Sequence, residues 1–278
     1  MIVDERQAIL YLSRYKGDGS MVQPATSRGT ALKRVLADNL AKVRERIGEA
    51  ATRAGRDPAR VQLVAVTKSV QLDVIRVLME LGQLDLGESQ VQQLVQRAGM
   101  VQEQLARRTI LDQDAAAAKP RWHMVGHLQR NKVKPLLPLV HLIHSLDTLR
   151  LAEEISNFGH KIGKTQEVLV EVNCSGEEQK YGLPVAAVGH LIEQMVTMPN
   201  LRICGLMTMA PVVKNPEETR PVFERLYELF LEVKMDFRLS REFEHLSMGM
   251  SQDYTVAVEC GATIVRVGTA LFEGLPGE

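Results

Sequence analysis

The sequence predicts one α/β domain folded as a closed (β/α)8 TIM barrel, and three observations support this prediction. Eight short apolar segments alternate with stretches of helical periodicity between Val61 and Gly268. A chain of 278 residues, 45% of them hydrophobic, has the length of a single barrel domain. The main alternative is a doubly wound open sheet, which usually has a glycine-rich phosphate turn after its first strand. Here that turn reads TKSVQLD, so the barrel is favoured.

The first residues of the chain fall outside the alternating pattern. They include most of the run GDGSMVQPATSRG, which is weakly apolar and rich in turn-forming residues. We therefore predict a flexible tail over residues 1–26 and one TIM-barrel domain over residues 27–278. An extra N-terminal helix is predicted from Thr30 to about Ala54. Its apolar residues recur at spacings of three and four, on one helix face: Leu32, Val35, Leu36, Leu40, Val43 and Ile47.

The predicted strands and helices then follow one another in regular alternation. In chain order, the strands are VQLVAV, LDLG, WHMVGH, LIHSLD, EVLVEVN, ICGLMTM, FEHLSMG and TIVRVG. The intervening helices are Leu72 to Leu81, Ser89 to Leu105, Leu128 to Leu137, Thr148 to Phe158, Val185 to Thr197, Pro216 to Val233 and Ser251 to Cys260. Closure of the barrel places the eighth strand beside the first and gathers the strand ends at one face.

Composition excludes several classes of partner. Lysine plus arginine equals aspartate plus glutamate at 34 each, so the net charge of zero gives no support to nucleic-acid binding or to a basic membrane patch. Cys174, Cys204 and Cys260 are widely spaced, which suits a reducing compartment and argues against a disulfide or zinc framework. No apolar run approaches the roughly 18 residues of a membrane span. We expect a soluble, cytoplasmic protein.

A lysine ends the first predicted strand. The run VQLVAVT leads directly into Lys68, at the barrel face where active sites form. A desolvated lysine amine loses its proton readily and then attacks a carbonyl carbon to give a Schiff base. Taken alone, a lysine at a strand end is more often the start of a surface loop. Barrel closure brings Arg266 of the last strand next to it, which strengthens the functional interpretation.

The ends of the seventh and eighth strands offer a phosphate site. Ser251 occupies a good N-cap position after the seventh strand, and Gly268 and Thr269 follow the eighth. Barrels frequently bind phosphate at these loops, although each segment taken singly is equally consistent with an ordinary cap and a close-packed glycine. Together, a Schiff-base lysine, a phosphate cradle and an arginine between them match the aldehyde, phosphate and pyridine nitrogen of pyridoxal 5'-phosphate (PLP).

Seven motifs occur in a fixed order along the chain. They are LVAVTK, LGESQVQQL, RWHMVGHLQRNKVK, EVNCSGEEQKYGL, GLMTMAP, LSMGMSQDY and VRVGTALFEG. With the motifs in this order, the sequence from about Leu32 to Gly274 resembles the YggS/PROSC family of PLP-binding proteins, also called PLP homeostasis proteins. The resemblance implies a fold type III PLP-binding barrel, similar to the barrel domain of alanine racemase and lacking the second domain of that enzyme.

The resemblance also assigns roles to the candidate residues. It implies that Lys68 forms the Schiff base with PLP, and that Arg266 faces the pyridine nitrogen. It implies that Ser251, Gly268 and Thr269 hold the phosphate. A fixed cation opposite the ring nitrogen disfavours protonation of the ring, so PLP held this way is a weaker electron sink than PLP paired with an aspartate.

Four further residues are implied at or near the cofactor. Ser247 and Met248 are expected as wall residues, and Ser89 stands where the family commonly has an asparagine, so its shorter side chain is expected to contact PLP through water. His123 is expected to line the barrel. His123 and His127 are four residues apart but span a strand end and its turn without an accompanying glutamate, so we predict no metal site.

The resulting functional prediction is a carrier protein. We expect PLP bound to Lys68, a role in intracellular vitamin B6 homeostasis, no catalytic residues, a monomer, and PLP-dependent apo-enzymes as possible recipients. The alternative is a small PLP-dependent enzyme of the racemase type, although the second base of such an enzyme comes from a domain that this chain is not expected to have. A class I aldolase-like barrel is a third hypothesis. Lys180 is either a second amine near the site or a solvated residue.

Overall fold

The computed structural model describes residues 25–111, 118–177, 179–236 and 242–275. The predicted tail lies outside the described residues up to position 24, and its last two residues, Ala25 and Thr26, already belong to the first described helix. Within the described ranges, no helix combines the length and the apolar character that crossing a bilayer requires.

The strands are short and nearly all buried. They are β1 Gln62–Val66, β2 Asp85–Glu88, β3 Arg121–Met124, β4 Val140–Leu146, β5 Gln166–Asn173, β6 Leu183–Pro184, β7 Leu201–Met207, β8 His245–Ser247 and β9 Ile264–Val267. The α-helices are α1 Ala25–Arg53, α2 Leu72–Glu80, α3 Val91–Leu111, α4 Val133–Leu136, α5 Leu149–Ile162, α6 Val188–Met195, α7 Arg220–Asp236, α8 Tyr254–Glu259 and α9 Thr269–Phe272. Short 3-10 turns precede α4, α6 and α7.

Parallel pairing closes the sheet into the predicted barrel. The hydrogen-bonded order is β4-β3-β2-β1-β9-β8-β7-β5, and an additional pairing of β4 with β5 joins the two ends. Each of these eight strands corresponds to one predicted strand, so the (β/α)8 fold is confirmed. The two-residue β6 pairs with β5 outside the barrel and was not predicted, because two residues carry no hydrophobic period.

The interior of the barrel contains both apolar and polar side chains. A small apolar cluster, separate from the main core, is contributed by residues in or just after six of the strands: Val64, Val125, Leu142, Leu169, Cys204, Met207 and Ile264. The main core lies between the outside of the sheet and the surrounding helices. Buried polar residues inside the barrel, among them His123, His144 and Arg266, lie close to the apolar cluster and build the underside of the site described below.

The extra N-terminal helix is also confirmed. Helix α1 begins five residues before the predicted start at Thr30 and ends one residue before Ala54. The amide of Asn39 donates hydrogen bonds to the carbonyl oxygens of Leu271 (3.1 Å) and Glu273 (2.9 Å) at the last helix. Helix α1 therefore holds the segment that follows β9, on the side of the barrel where the phosphate site is predicted.

Candidate cofactor site at the carboxyl ends of the strands

A cavity of about 340 Å³ opens at the carboxyl ends of the strands. This volume lies near the lower end of the roughly 300–1,000 Å³ typical of small-molecule sites. Six of the predicted cofactor residues line it together: Lys68, Ser89, Ser251, Arg266, Gly268 and Thr269. The loops after β1, β2, β8 and β9 thus bring distant parts of the sequence to one place, as barrel closure requires.

Lys68 stands two residues after the end of β1, and its side chain is exposed at the cavity. The residue before it, Thr67, is fully buried, and its hydroxyl donates a hydrogen bond to Glu88 Oε1 at 2.5 Å. The backbone N–H of Thr67 donates to the carbonyl oxygen of Gly87 at 2.9 Å, which continues the β1–β2 ladder. The strand therefore delivers Lys68 to the cavity from a fixed backbone position.

A buried ion pair holds the loop that carries Lys68. The Arg97 guanidinium, on α3, forms an ion pair with the fully buried Glu88 and donates hydrogen bonds to the carbonyl oxygens of Thr67 and Val70, both at 2.6 Å. Lys68 and the residue after it lie between these two anchored carbonyls. This clamp was not predicted from the sequence, although a glutamate inside a buried strand indicates a buried cationic partner.

Arg266 forms the floor of the cavity. It is 4% exposed and donates from Nη1 to Ser247 Oγ at 2.5 Å and from Nη2 to the carbonyl oxygen of Thr208 at 3.0 Å. Burial lowers the pKa of the guanidinium to about 10, against the opposing effect of the nearby carboxylates Glu171 and Asp253. Arg266 therefore remains a cation at neutral pH, with its position fixed from below.

Ser251 has a different role from the predicted helix cap. Helix α8 begins at Tyr254, three residues later than predicted, and its N-cap residue is Asp253. Ser251 Oγ instead accepts hydrogen bonds from the N–H groups of Gly268 (3.2 Å) and Ala270 (3.3 Å). Helix α8 starts later than predicted because the Asp253 carboxylate accepts a hydrogen bond from the N–H of Met250 at 2.6 Å, and this bond forms a turn before the helix.

The remaining predicted residues lie in the protein interior and not in the wall of the cavity. His123, Ser247 and Met248 are all fully buried, and none of them belongs to the cavity lining. Ser247 supports Arg266, as described above, while His123 forms hydrogen bonds with Asp85 and His144. Ser247 and His123 thus contact other polar side chains inside the barrel. The spacing of residues along the strands does not predict these contacts.

The loops after β3, β4 and β5 carry aromatic and charged residues that contact one another. The rings of His127 and Tyr181 stack with their centroids 4.2 Å apart, and His127 Nδ1 lies 3.3 Å from Asp147 Oδ2. Lys180 forms an ion pair with Glu177 and contacts the carbonyl oxygen of Met209 at 3.5 Å. Lys180 does not line the cavity, and its side chain is 21% exposed.

One wall of the cavity depends on a glycine that the sequence analysis missed. A Cβ atom at Gly126 would overlap the backbone carbonyl oxygen of Ser89 and would lie 2.9 Å from its carbonyl carbon. Both residues line the cavity, so the loops after β2 and β3 touch backbone to backbone there. The only sequence signal is the glycine itself, after a predicted strand.

The donor set fits the three polar ends of PLP. Lys68 supplies an amine, Arg266 supplies a fixed cation, and Ser251 supplies a hydroxyl between the backbone N–H groups after β9. The close approach of Gly268, where an added Cβ would lie 3.3 Å from the carbonyl oxygen of Val66, keeps side-chain bulk out of this corner. Chemically, the arrangement can bind an aldehyde covalently, hold a phosphate and place a cation against a ring acceptor.

Comparison with known proteins gives a consistent set of relatives. Residues 39–276 match the family model of the alanine racemase N-terminal domain. A pyridoxal phosphate homeostasis protein of Aquifex aeolicus is 41% identical over 235 residues, which cover 84% of this chain and 96% of the relative. The structure of PipY from Synechococcus elongatus with PLP bound has a TM-score of 0.70 at 29% identity, covering 85% of this chain and 99% of PipY. An unknown protein from Bifidobacterium adolescentis reaches a TM-score of 0.79 at 32% identity, covering 92% and 100% of the two chains.

Proposed function

The chain belongs to the alanine racemase N-terminal domain family and, within it, to the pyridoxal phosphate homeostasis proteins, and on this premise we propose that it binds PLP and carries it as a Schiff base on Lys68. In this proposal the protein serves intracellular PLP homeostasis and has no substantial catalytic activity. One observation supports it above the others: the amine of Lys68, the cation of Arg266 and the Ser251 hydroxyl all line a single cavity.

Each of these side chains has a defined task in the proposal. The Lys68 amine attacks the aldehyde carbon, a carbon–nitrogen double bond forms, and the carbonyl oxygen leaves as water. Hydrolysis reverses this reaction and releases PLP, as a carrier requires. The Arg97–Glu88 pair fixes the loop from which Lys68 acts. The Ser251 hydroxyl, which accepts from the backbone N–H groups of Gly268 and Ala270, has its own proton to donate to the phosphate.

The position of Arg266 supports a carrier over an enzyme. Bound PLP supplies an electron sink for carbanion chemistry, and the strength of that sink depends on protonation of the ring nitrogen. Arg266 is buried, is held by Ser247 and Thr208, and remains a cation at neutral pH. A cation at this position disfavours a second positive charge on the ring, so proton abstraction from an amino acid is poorly supported.

We also propose that the protein is a cytoplasmic monomer that passes PLP to PLP-dependent apo-enzymes. Exposed apolar side chains at the cavity rim support contact with a recipient, because Val212 and Met209 are 82% and 41% exposed and both line the cavity. Sedimentation equilibrium tests the monomer, and PLP transfer to an apo-enzyme in the presence of a trap for free PLP tests direct delivery.

The absorption spectrum of the purified protein, before and after addition of PLP, tests the proposed function. We expect a visible band that borohydride removes, and no turnover of a panel of amino acids by racemisation, transamination or elimination. A colourless protein that does not bind added PLP would refute the proposal. Robust turnover of an amino acid would refute the carrier role while leaving PLP binding intact.

A further inference from the structure

A continuous chain of hydrogen bonds crosses the barrel interior beneath the cavity. Arg266 Nη1 lies 2.5 Å from Ser247 Oγ, and Ser247 Oγ lies 2.8 Å from His144 Nδ1. His144 Nε2 lies 3.0 Å from His123 Nδ1, and His123 Nε2 lies 3.1 Å from Asp85 Oδ1. The chain thus runs from the floor of the cavity to the first residue of β2, at the opposite end of the barrel.

The carboxylate at one end of this chain fixes the direction of every hydrogen bond when both histidines are neutral. Arg266 can only donate, so Ser247 Oγ accepts from it, and the hydroxyl still has one proton to donate to an unprotonated His144 Nδ1. At the other end, the ionised carboxylate of Asp85 can only accept, so His123 Nε2 carries a proton. A neutral His144 with Nδ1 unprotonated donates from Nε2 to Nδ1 of His123. Every hydrogen bond in the chain then has one donor and one acceptor.

Burial favours the neutral histidines that this order needs. His123, His144 and Ser247 are fully buried, and Asp85 and Arg266 are 7% and 4% exposed. Burial lowers the pKa of both histidines, most strongly that of His144, next to which lie the positive charge of Arg266 and the ring of His123. Burial acts to raise the pKa of Asp85, but hydrogen bonds from His123 and Arg121 outweigh it and hold this pKa below its usual value.

We propose that Asp85, His123, His144 and Ser247 form a positioning relay that fixes the orientation of the Arg266 guanidinium under the cofactor. The inference rests on the proposed PLP function and adds residues that do not touch the cavity. Both terminal nitrogens of Arg266 are held below the cavity, and among the described residues Nε has no hydrogen-bond partner. The relay therefore determines which edge of the guanidinium is left for the ring nitrogen.

The tautomers of the two histidines test the relay without any cofactor. Long-range ¹H–¹⁵N correlation spectra of the PLP-free protein at neutral pH should show His123 and His144 both neutral and both protonated at Nε2. A histidine protonated at Nδ1, or on both nitrogens, would overturn the assigned order of donors and acceptors. This result does not depend on whether the protein binds PLP.

Substitution at His144 tests the effect on the cofactor. His144→Leu breaks the relay and should weaken PLP binding about tenfold or more and shift the absorption maximum of bound PLP. In His144→Gln the amide can accept from Ser247 and donate to His123, so it should recover most of the affinity and the wild-type maximum. His245→Leu is the matched control, since His245 is a half-buried histidine on β8 whose Nδ1 has no hydrogen-bond partner within the part of the chain that the structure describes.

The outcomes separate the relay from a purely structural cluster. If His144→Leu lowers the melting temperature of the PLP-free protein as His245→Leu does, but leaves affinity and spectrum unchanged, the relay has no positioning role. If the wild-type protein does not bind PLP, the proposed function is wrong, whichever tautomers the two histidines adopt. Weakened binding and a shifted spectrum in His144→Leu, with recovery in His144→Gln, support the relay.

Discussion

Arg266 of β9 lies directly opposite Val64 of β1 in the parallel register that closes the barrel. This pairing places the buried cation next to the strand that ends just before Lys68, although 198 positions separate the two charged residues in the sequence. The closure thereby turns two isolated basic residues into parts of one site.

The Arg97–Glu88 clamp should stabilise the loop of Lys68 as well as the fold. Arg97→Met leaves a fully buried carboxylate without its cation, so we expect the free energy of unfolding to fall by about 3–5 kcal/mol. Chemical denaturation measures this loss. Arg107→Met is the matched control, because Arg107 pairs with Glu103 on the same helix but both side chains are more than half exposed, and its effect should stay below about 1 kcal/mol.

The double variant Arg97→Met/Glu88→Met separates the two roles of the clamp. Replacing both charges by apolar side chains should restore much of the stability. The carbonyl oxygens of Thr67 and Val70 nevertheless stay without their donors, so PLP affinity should remain about tenfold below that of the wild type. Recovery of stability and affinity together would mean that the clamp does not position Lys68.

The backbone contact at Gly126 should tolerate no side chain. Gly126→Ala forces the loops after β2 and β3 apart at the cavity wall, so we expect a loss of about 1–3 kcal/mol in stability and weaker PLP binding. Gly99→Ala is the control, since no atom of the described residues lies within 4 Å of the added Cβ and alanine favours the helix interior by about 0.5–1 kcal/mol. A Gly126→Ala variant as stable as the wild type would contradict the contact.

Glu171 should give the protein a specific pH dependence of stability. Burial raises the pKa of this carboxyl from 4.5 to about 7, with a further contribution from Asp147 and an opposing one from Arg266. Because the folded pKa is the higher one, ionisation of Glu171 opposes folding. Its contribution to stability is therefore greatest below about pH 4.5, decreases between pH 4.5 and 7, and is constant above pH 7.

Glu171→Gln removes this titration. At pH 8 the variant should be more stable than the wild type by on the order of 2–3 kcal/mol, whereas at pH 4.5 the two should differ little. Thermal melting of PLP-free protein at both pH values measures the difference. An equal change of melting temperature at the two pH values would contradict the raised pKa.

Patterns of apolar residues predicted the fold almost completely. The alternation of strands and helices gave all eight barrel strands, and the spacing on the face of α1 gave the extra helix. Lys68, Ser89, Ser251, Arg266, Gly268 and Thr269 were predicted for the site, and the structure brings them to one cavity. These residues lie at strand ends, where position along the strand determines position in the barrel.

Contacts that a side chain makes with a distant part of the chain could not be predicted in the same way. Arg97 reaches the carbonyl oxygen of Val70 across 27 positions, and Ser247 accepts from Arg266 while it donates to His144. Such pairs depend on rotamers and on which faces of neighbouring strands meet, and hydrophobic periodicity encodes neither. The displaced start of α8 has the same origin, since one carboxylate, Asp253, decides it.

The location of the covalent bond to PLP tests the proposed role of Lys68 most sharply. Borohydride reduction of the PLP-loaded protein, followed by peptide mass mapping, should find the reduced adduct on the peptide that contains Lys68. Lys68→Ala should lose the adduct, and Lys214→Ala, which removes an exposed lysine from the loop after β7, should retain it. An adduct on another lysine of the loaded wild-type protein, or bound PLP that leaves no adduct, would contradict the central claim.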